Sequence, residues 1–308
     1  MAQLTVSDVL ASIRAGKSLS KAELSGIDLS EVCLDRVDCS AAYLRQARLN
    51  HASCQGANFS KANLMLAELS ESCWVEGQLT QAVLTQARLD NVNLQRAVAV
   101  AAQFYGAQLD YLNASHACLE RADFREASGP QARFKYANLV EAWLDGANFS
   151  QSSFEGARLS RSGWQQATLS GVSFVMADLA QANLTAAILV GANLSEARAL
   201  SACFQEADLT AATLRSTQLD WADFWNAVLM QADLRQASLY GATLEFANLS
   251  GANLSGADLR NANLENAQLD GVCLDGCQVV GALFTNVTGL SLAQRQWLKR
   301  HGALNVTR

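Results

Sequence analysis

The sequence predicts an all-β solenoid, and three observations carry that prediction. From Leu24 to Phe284, every fifth residue is Leu or Phe at 44 of 53 positions, without a change of phase. Two residues before each of these positions lies a second column, from Ala22 to Ala282, in which 40 of 53 residues are Ala. The residue between the two columns is often Asp or Asn. An internal repeat of this regularity is the sequence signature of a repeat architecture.

A period of five fits neither regular secondary structure. In a helix, five residues advance about 500°, so the Leu column would spiral around the axis. In a flat strand, five residues move the side chain to the opposite face. Only a chain that turns a corner in every repeat keeps all of the Leu side chains facing one interior. We expect the resulting coils to stack, with backbones pairing at roughly 4.8 Å.

The composition excludes other classes of protein. Half of the 308 residues are hydrophobic, which is too many for a disordered chain. No apolar run approaches the roughly 20 residues that a membrane helix needs. Asp8 and Arg14 interrupt the N-terminal segment where a secretory signal needs an apolar core. We therefore expect a cytoplasmic protein that makes no membrane contact.

Individual repeats match a known consensus, A(D/N)LXX. Residues 247–251 read ANLSG and residues 257–261 read ADLRN. The chain resembles the pentapeptide-repeat family over residues 22 to about 286. The resemblance implies a right-handed quadrilateral β-helix with four repeats in each coil, and thus about thirteen coils.

Phenylalanines in the Leu column favour four repeats in each coil. Pairs of Phe recur at a spacing of 20 more often than at 15, 25 or 30. We expect stacked rings on two faces. One ladder would contain Phe104, Phe124, Phe204 and Phe224, and the other Phe134, Phe154 and Phe174.

Two features depart from the pattern. Between residues 97 and 130 the Leu column contains Ala99, Ala114 and Gly129, followed by the single proline. Small interior residues predict a kink or a bulged loop there. Trp74 and Trp164 are too large for Leu sites, so they either turn outward or fill a widened coil.

Both ends of the chain predict helical caps over an otherwise open stack. Residues 1–21 form the first cap, with Ser7 as the helix N-cap. The repeat region occupies residues 22–286. Residues 287–308 form the second cap, a helix that begins after Ser291 and ends at Gly302, with an apolar side of Leu292, Trp297 and Leu298. The family resemblance also implies that these three residues form a homodimer contact.

Catalytic, cofactor-binding and metal-binding residues are not expected. A convex solenoid offers no cleft in which reactive groups could converge. The three histidines are far apart and at outward positions or in the terminal helix. No two of the eight cysteines are 20 residues apart, as stacking in adjacent coils would require, so all are interpreted as reduced thiols. We therefore expect that the protein is not an enzyme.

Charge divides unevenly along the chain. The net charge of −6 combines +2 in residues 1–21, −12 in the repeat region and +4 in residues 287–308. Residues 201–286 alone carry −7. An acidic surface argues against direct nucleic-acid binding. The resemblance implies two alternative functions: a DNA mimic that binds DNA gyrase or topoisomerase IV, and a protein associated with a bacterial type VI secretion system.

Exposed aromatic residues in the acidic half indicate a protein-binding surface. Trp221, Trp225 and Tyr240 fall at outward positions, where polar residues are expected. The predicted partner-binding residues are Leu200, Asp220, Trp221, Asp223, Trp225 and Tyr240. The primary hypothesis is a non-enzymatic protein–protein interaction rod whose partner the sequence does not identify.

Overall fold

The computed structural model describes residues 4–306. Contacts between Cα atoms divide the chain into two compact units, Met1–Arg158 and Leu159–Arg308. Each unit is described by itself. Neither described helix has the length and apolar character that crossing a bilayer requires.

Both units repeat every 20 residues. In the first unit, parallel β-bridges join residues 20 apart from Glu23↔Tyr43 to Asn138↔Arg158. In the second unit, the same spacing begins at Gly163↔Asn183. Each coil therefore contains four pentapeptides, as the phenylalanine spacing predicted. The total of about thirteen coils stays a prediction.

Neighbouring coils are joined by a regular set of backbone hydrogen bonds. The Leu24 N–H donates to the Tyr43 carbonyl at 2.7 Å, and the Tyr43 N–H donates to the Ala22 carbonyl at 2.9 Å. The corner residue Lys21 donates to the Ser40 carbonyl at 2.9 Å. Three of the five amides in each repeat thus pair with an adjacent coil, which satisfies groups that burial would otherwise penalise.

The remaining two amides stabilise the corner. In residues 58–62, the Ala62 N–H donates to the Phe59 carbonyl at 3.0 Å, which closes a four-residue turn. Lys61 has a left-handed φ of +61°, as the third residue of a type II turn requires. The Asn58 side chain accepts the Ser60 N–H at 3.1 Å. This last bond recurs along the chain and explains the Asp/Asn column.

The Ala and Leu columns form the core, and the predicted ring stacks lie within it. Stacked rings come from consecutive coils, with centroids 4.6–4.9 Å apart and planes within 3–4°. The pairs are Phe104–Phe124, Phe134–Phe154 and Phe204–Phe224. The third member of the second predicted ladder, Phe174, belongs to the other unit.

Trp74 and Trp164 both point inward and are buried. Each indole N–H donates at 2.7 Å to a serine hydroxyl two residues earlier in the chain, Ser72 and Ser162 respectively. Those serines replace Ala in the small-residue column. The hydroxyl supplies the partner that a buried indole N–H needs, so the wide residue and the polar residue occur together.

The kink or bulge predicted for residues 97–130 is wrong. The bridges continue through it at the usual spacing, for example Val98↔Cys118. The volume missing at Gly129 is occupied from the next coil: a Cβ at this position would lie 2.7 Å from a ring carbon of Phe149. The Phe149 ring in turn packs edge-on against the Phe134 ring at 5.4 Å. Large neighbours therefore compensate for the small residues, and the coil keeps its path.

Pro130 fits the same corner geometry without losing a coil-to-coil bond. It is the second residue of the turn that the Ala132 N–H closes on the Gly129 carbonyl, at 3.2 Å. Proline is favoured at this turn position. The amide it lacks is the one that elsewhere bonds to an Asp or Asn side chain, and its own carbonyl still accepts the Tyr111 N–H.

Helix α1 spans Val6–Arg14 and begins two residues earlier than predicted. Its N-cap is Thr5, not Ser7. The Thr5 hydroxyl accepts the Asp8 N–H, and the Asp8 carboxylate accepts the Thr5 N–H at 3.0 Å. Because Asp8 lies three residues after Thr5, it completes a capping box there, which explains the preference.

Helix α2 spans Leu292–Arg300, and its predicted N-cap, Ser291, is confirmed. Its predicted apolar side is only partly correct. Leu298 is buried, whereas Leu292 is 74% exposed. After the helix, the Leu304 N–H donates to the Ala282 carbonyl at 2.8 Å, so the chain returns to the last wall. The division at residues 21 and 286 stays a prediction.

Candidate protein-interaction surface

Four aromatic side chains lie at two successive corners of the second unit, Trp221 and Tyr240 at one and Trp225 and Phe246 at the next. We call these four residues the aromatic corner. Trp221 is 61% exposed, Phe246 48% and Trp225 38%, whereas Tyr240 is half-buried. Trp221 and Phe246 occupy left-handed corner positions, with φ values of +60° and +58°. The Leu repeat fills the interior, so these rings have no place in the core and extend from the wall.

Trp221 is held against the next coil. Its ring lies over Gly241, where a Cβ would come 2.5 Å from a ring carbon. The same ring meets the Tyr240 ring edge-on, with centroids 5.4 Å apart and planes at 83°. Such a T-shaped arrangement is favourable for aromatic rings. Glycine at position 241 thus allows the indole to lie flat on the wall, which positions it before any partner binds.

Substitution of Gly241 is expected to displace the Trp221 ring. Gly241→Ala and the control Gly251→Ala both place a side chain on a left-handed residue, with φ of +65° and +70°. Each should lose roughly 1 kcal/mol of stability for that reason. Only Gly241→Ala also collides with an indole, because the nearest side-chain atom to a Cβ at Gly251 is 3.5 Å away. The Trp221 indole resonance in a ¹⁵N NMR spectrum should shift in the first variant alone; equal shifts in both would contradict the packing described.

Trp225 and Phe246 form the second half of the aromatic corner. Their ring centroids are 6.4 Å apart, with planes at 73°. The Trp225 carbonyl accepts the Glu206 N–H at 2.9 Å, and the Glu245 carbonyl accepts the Asn226 N–H at 2.9 Å. Glu206 and Glu245 therefore lie on the coils to either side of Trp225, each about 4.8 Å away along the wall.

Two predicted carboxylates are fixed in place beside the rings. The Asp223 carboxylate accepts the Trp225 N–H at 2.9 Å and the Gln205 amide at 2.6 Å. The Asp220 carboxylate accepts the Ser238 hydroxyl. Among residues 4–306, neither carboxylate has a Lys or Arg nitrogen within 4.0 Å, so both keep their charge unneutralised.

Other carboxylates of this unit are neutralised by arginines. Arg235 donates two bonds to Asp233, at 2.6 and 2.8 Å, and Arg260 donates two to Asp258, at 2.6 and 2.9 Å. These side-chain hydrogen bonds hold the pKa values of both carboxyls below their usual range. Arg260 also lies over the Tyr240 ring, 5.7 Å from its centroid.

Leu200 completes the set predicted from the sequence. It is half-buried and its carbonyl accepts the Gln181 N–H at 2.9 Å. It lies 20 residues before Asp220, in the same column. Phe246 was not among the residues predicted from the sequence for this surface. Its membership follows from register, because it lies 20 residues after Asn226, which adjoins Trp225.

The remaining candidate residues are the cysteines, the histidines and the apolar residues of α2. All eight cysteines are free, and burial raises the pKa of Cys39 and of Cys277 to about 12. No group of His, Cys, Asp and Glu among residues 4–306 has the geometry of a metal site. His301 stacks on Trp297 at 4.3 Å. Leu298, proposed from the sequence for a dimer contact, is covered by its own chain, which removes it from that set.

Comparison with protein families decides the classification. The sequence model described as "Pentapeptide repeats (8 copies)" matches most of the chain, in overlapping segments. The chain belongs to the pentapeptide-repeat family. The matched residues are 38–73, 62–98, 78–111, 87–126, 107–151, 132–171, 144–185, 177–215, 217–256 and 247–286. Pentapeptide-repeat proteins form right-handed quadrilateral β-helices and are generally structural or interaction proteins.

Several solved structures are similar to the chain. HetL, a pentapeptide repeat protein involved in heterocyst differentiation regulation in the cyanobacterium Nostoc sp. strain PCC 7120, is 25% identical, with 94% of this chain and 99% of HetL covered and a TM-score of 0.30. A pentapeptide repeat protein from the Arabidopsis thaliana thylakoid lumen is 30% identical over 37% of this chain and 76% of its own, with a TM-score of 0.26. QnrB1, a plasmid-mediated fluoroquinolone resistance protein, is 22% identical over 66% of this chain and 98% of its own, with a TM-score of 0.31.

The search of curated proteins found no match.

Proposed function

We propose that this pentapeptide-repeat protein is a non-enzymatic interaction scaffold and that the aromatic corner binds a partner protein. The observation that supports this most strongly is Trp221, which is 61% exposed yet fixed by Gly241 and Tyr240. Exposed tryptophans are enriched among the residues that dominate binding energy at interfaces. Exposed apolar patches mark interaction sites in proteins.

The solenoid supports this role by holding the surface rigid. Backbone hydrogen bonds join the aromatic corner to adjacent coils. The Trp221 N–H donates to the Tyr240 carbonyl at 2.9 Å, and the Phe246 N–H donates to the Glu265 carbonyl at 3.0 Å. A surface that is ordered before binding loses little conformational entropy when the complex forms. Little of the free energy gained by burying the rings is therefore lost to ordering them.

The proposal is tested by affinity capture with the full chain. Trp221→Ser/Trp225→Ser should lose the principal captured protein, because both rings would leave the interface. The matched control is Tyr105→Ser/Tyr111→Ser, which removes two exposed rings from the first unit. Circular dichroism should show that both variants keep the fold. Retention of every partner by the tryptophan variant, or the same loss in the tyrosine control, would contradict the proposal.

Binding to gyrase or topoisomerase IV as a DNA mimic is the first alternative. Its support is the −7 charge of residues 201–286. Against it, Asp233 and Asp258 are already paired with arginines, which interrupts any phosphate-like row of charge. If it holds, the protein should alter gyrase supercoiling, and charge reversal of Asp208, Asp220 and Asp223 should abolish the effect.

Association with a type VI secretion system is the second alternative. If it holds, components of that system should be among the captured proteins.

We also propose a cytoplasmic location and a homodimer. Eight free thiols are typical of a reducing compartment.

For the homodimer, the exposed Leu292 and the half-buried Trp297 remain the residues of α2 that a second copy would contact. Light scattering at high concentration should give about twice the chain mass of 33.0 kDa; a monomer mass would reject the dimer.

A further inference from the structure

We propose that the aromatic corner binds a cationic side chain, Arg or Lys, which a protein partner places on the exposed face of Trp225. This inference rests on the proposed function, because it specifies the chemistry of the partner segment at the same surface. The exposed indole supplies a π-face, and the carboxylates around it supply the charge. A desolvated cation over tryptophan is the strongest of the cation–π pairs that proteins use.

A recurring local pattern shows what is missing at Trp225. In three repeats an Asp is followed two residues later by an Arg, which bonds back to that Asp through two nitrogens: Asp123–Arg125, Asp233–Arg235 and Asp258–Arg260. The repeat at Asp223 has the same frame, but Trp225 stands where the Arg would be. The Asp223 carboxylate therefore lacks the cation that this frame supplies elsewhere.

The protein itself shows how a guanidinium fits between a carboxylate and a ring. Arg125 bonds to Asp123 while its guanidinium lies over the Trp143 ring, 5.4 Å from the centroid. Arg260 bonds to Asp258 and lies over Tyr240 at 5.7 Å. Within residues 4–306, no Lys or Arg of the chain lies over Trp225 in this way. A cation from a partner would complete a third combination of carboxylate and ring, in which Asp223 and Trp225 belong to the same repeat.

The charge around Trp225 is complementary to such a cation. Asp223 lies in the same repeat, and Glu206 and Glu245 lie on the two adjacent coils. None of the three has an ion pair with a Lys or Arg in the described part of the chain. The arginines of residues 201–286 are all engaged elsewhere: Arg215 and Arg235 lie near Asp233, at 3.7 and 2.6 Å, and Arg260 binds Asp258. A neutral or acidic partner would leave these carboxylates desolvated without compensation.

The inference is tested by NMR titration of the full chain with ¹⁵N-labelled tryptophan. The chain has six indoles, and single Trp→Phe variants assign their resonances. The probe is the tripeptide acetyl-Gly-Arg-Gly-amide. The control is the citrulline tripeptide, which keeps the shape and loses the charge. We expect the Trp225 resonance to shift with a dissociation constant on the order of millimolar, and the citrulline tripeptide to bind at least about tenfold more weakly.

Two internal controls sharpen the titration. Trp143 is 50% exposed, against 38% for Trp225, but it already carries Arg125 over its ring, so its resonance should not move. Asp223→Asn should weaken binding at least about threefold, whereas Asp208→Asn, at the same repeat position on another wall, should not. Equal binding of the arginine and citrulline tripeptides, or an unmoved Trp225 resonance, would overturn the inference.

Failure here is distinguishable from failure of the proposed function. If the Trp221→Ser/Trp225→Ser variant loses its partner but the arginine tripeptide does not shift the Trp225 resonance, the proposed interaction surface is supported and its preference for a cation is wrong. If Trp225 binds the tripeptide but the double variant keeps every partner, the cation site stands and the proposed interaction surface is wrong.

Discussion

Gly129→Leu is expected to destabilise the first unit by about 1–3 kcal/mol, although it restores the most frequent residue of its column. A Cβ at this position already comes 2.7 Å from a ring carbon of Phe149 and 3.0 Å from the Cβ of Leu109. A whole leucine side chain has no space between them. Close-packed interiors do not absorb added volume without strain, so rotamers or backbone must shift.

Chemical denaturation of Gly129→Leu measures this cost, and a second substitution identifies its cause. Gly129→Leu/Phe149→Leu removes the ring that occupies the space and should recover a large part of the lost stability. A single variant as stable as the wild type would mean that the interior around Gly129 contains empty volume. A double variant less stable than the sum of its parts would show that Phe149 is not the competing residue.

Ser72→Ala is expected to cost about 1–3 kcal/mol because it leaves a buried indole N–H without its acceptor. The Ser72 hydroxyl accepts the Trp74 N–H at 2.7 Å and donates to the Leu69 carbonyl. Trp74 also packs against Phe59, with ring centroids 4.5 Å apart. The indole is therefore enclosed, and water does not reach it to replace the hydroxyl.

A double-mutant cycle separates the hydrogen bond from packing. Trp74→Phe removes the donor, and Ser72→Ala/Trp74→Phe removes both partners. Since loss of both groups is much less costly than loss of one, the double variant should be more stable than the sum of the single effects predicts. Additive effects in denaturation would show that the serine and the indole do not interact.

Much of the fold follows directly from the periodicity. Columns of Ala and Leu at a spacing of five require a chain that turns a corner in each repeat. The family resemblance implies four repeats in each coil, and the Phe spacing favours that number. The Asp/Asn column also has a local explanation. Each of these side chains can accept a hydrogen bond from the backbone N–H two residues later, as Asn58 does from Ser60. These features are local, so the same sequence signal recurs in each repeat.

Features that depend on neighbouring coils could not be predicted in the same way. The compensation of Gly129 by Phe149 involves residues 20 apart, and volume alone does not show which side chain fills a gap. The inward orientation of Trp74 and Trp164 did have a signal, since Ser72 and Ser162 each replace Ala two residues earlier. That signal is chemical rather than periodic, because a hydroxyl in an apolar column needs a partner.

The aromatic corner shows the same limit. The sequence placed Trp221, Trp225 and Tyr240 at outward positions, and their exposure or half-burial agrees. The contribution of Phe246 and the flattening of Trp221 over Gly241 depend on register between coils. Once the 20-residue period is known, both can be read from the numbering.

Site-specific photocrosslinking tests the central claim most directly. A benzoyl-phenylalanine at Phe246, which is 48% exposed, keeps the phenyl ring and leaves Trp221 and Trp225 in place. The same residue at Trp143, where the native ring is 50% exposed, is the matched control on the first unit. We predict a covalent adduct with one protein partner from position 246 and not from position 143. Adducts from position 143 alone, or equal adducts from both positions, would contradict the claim that the aromatic corner is the binding surface.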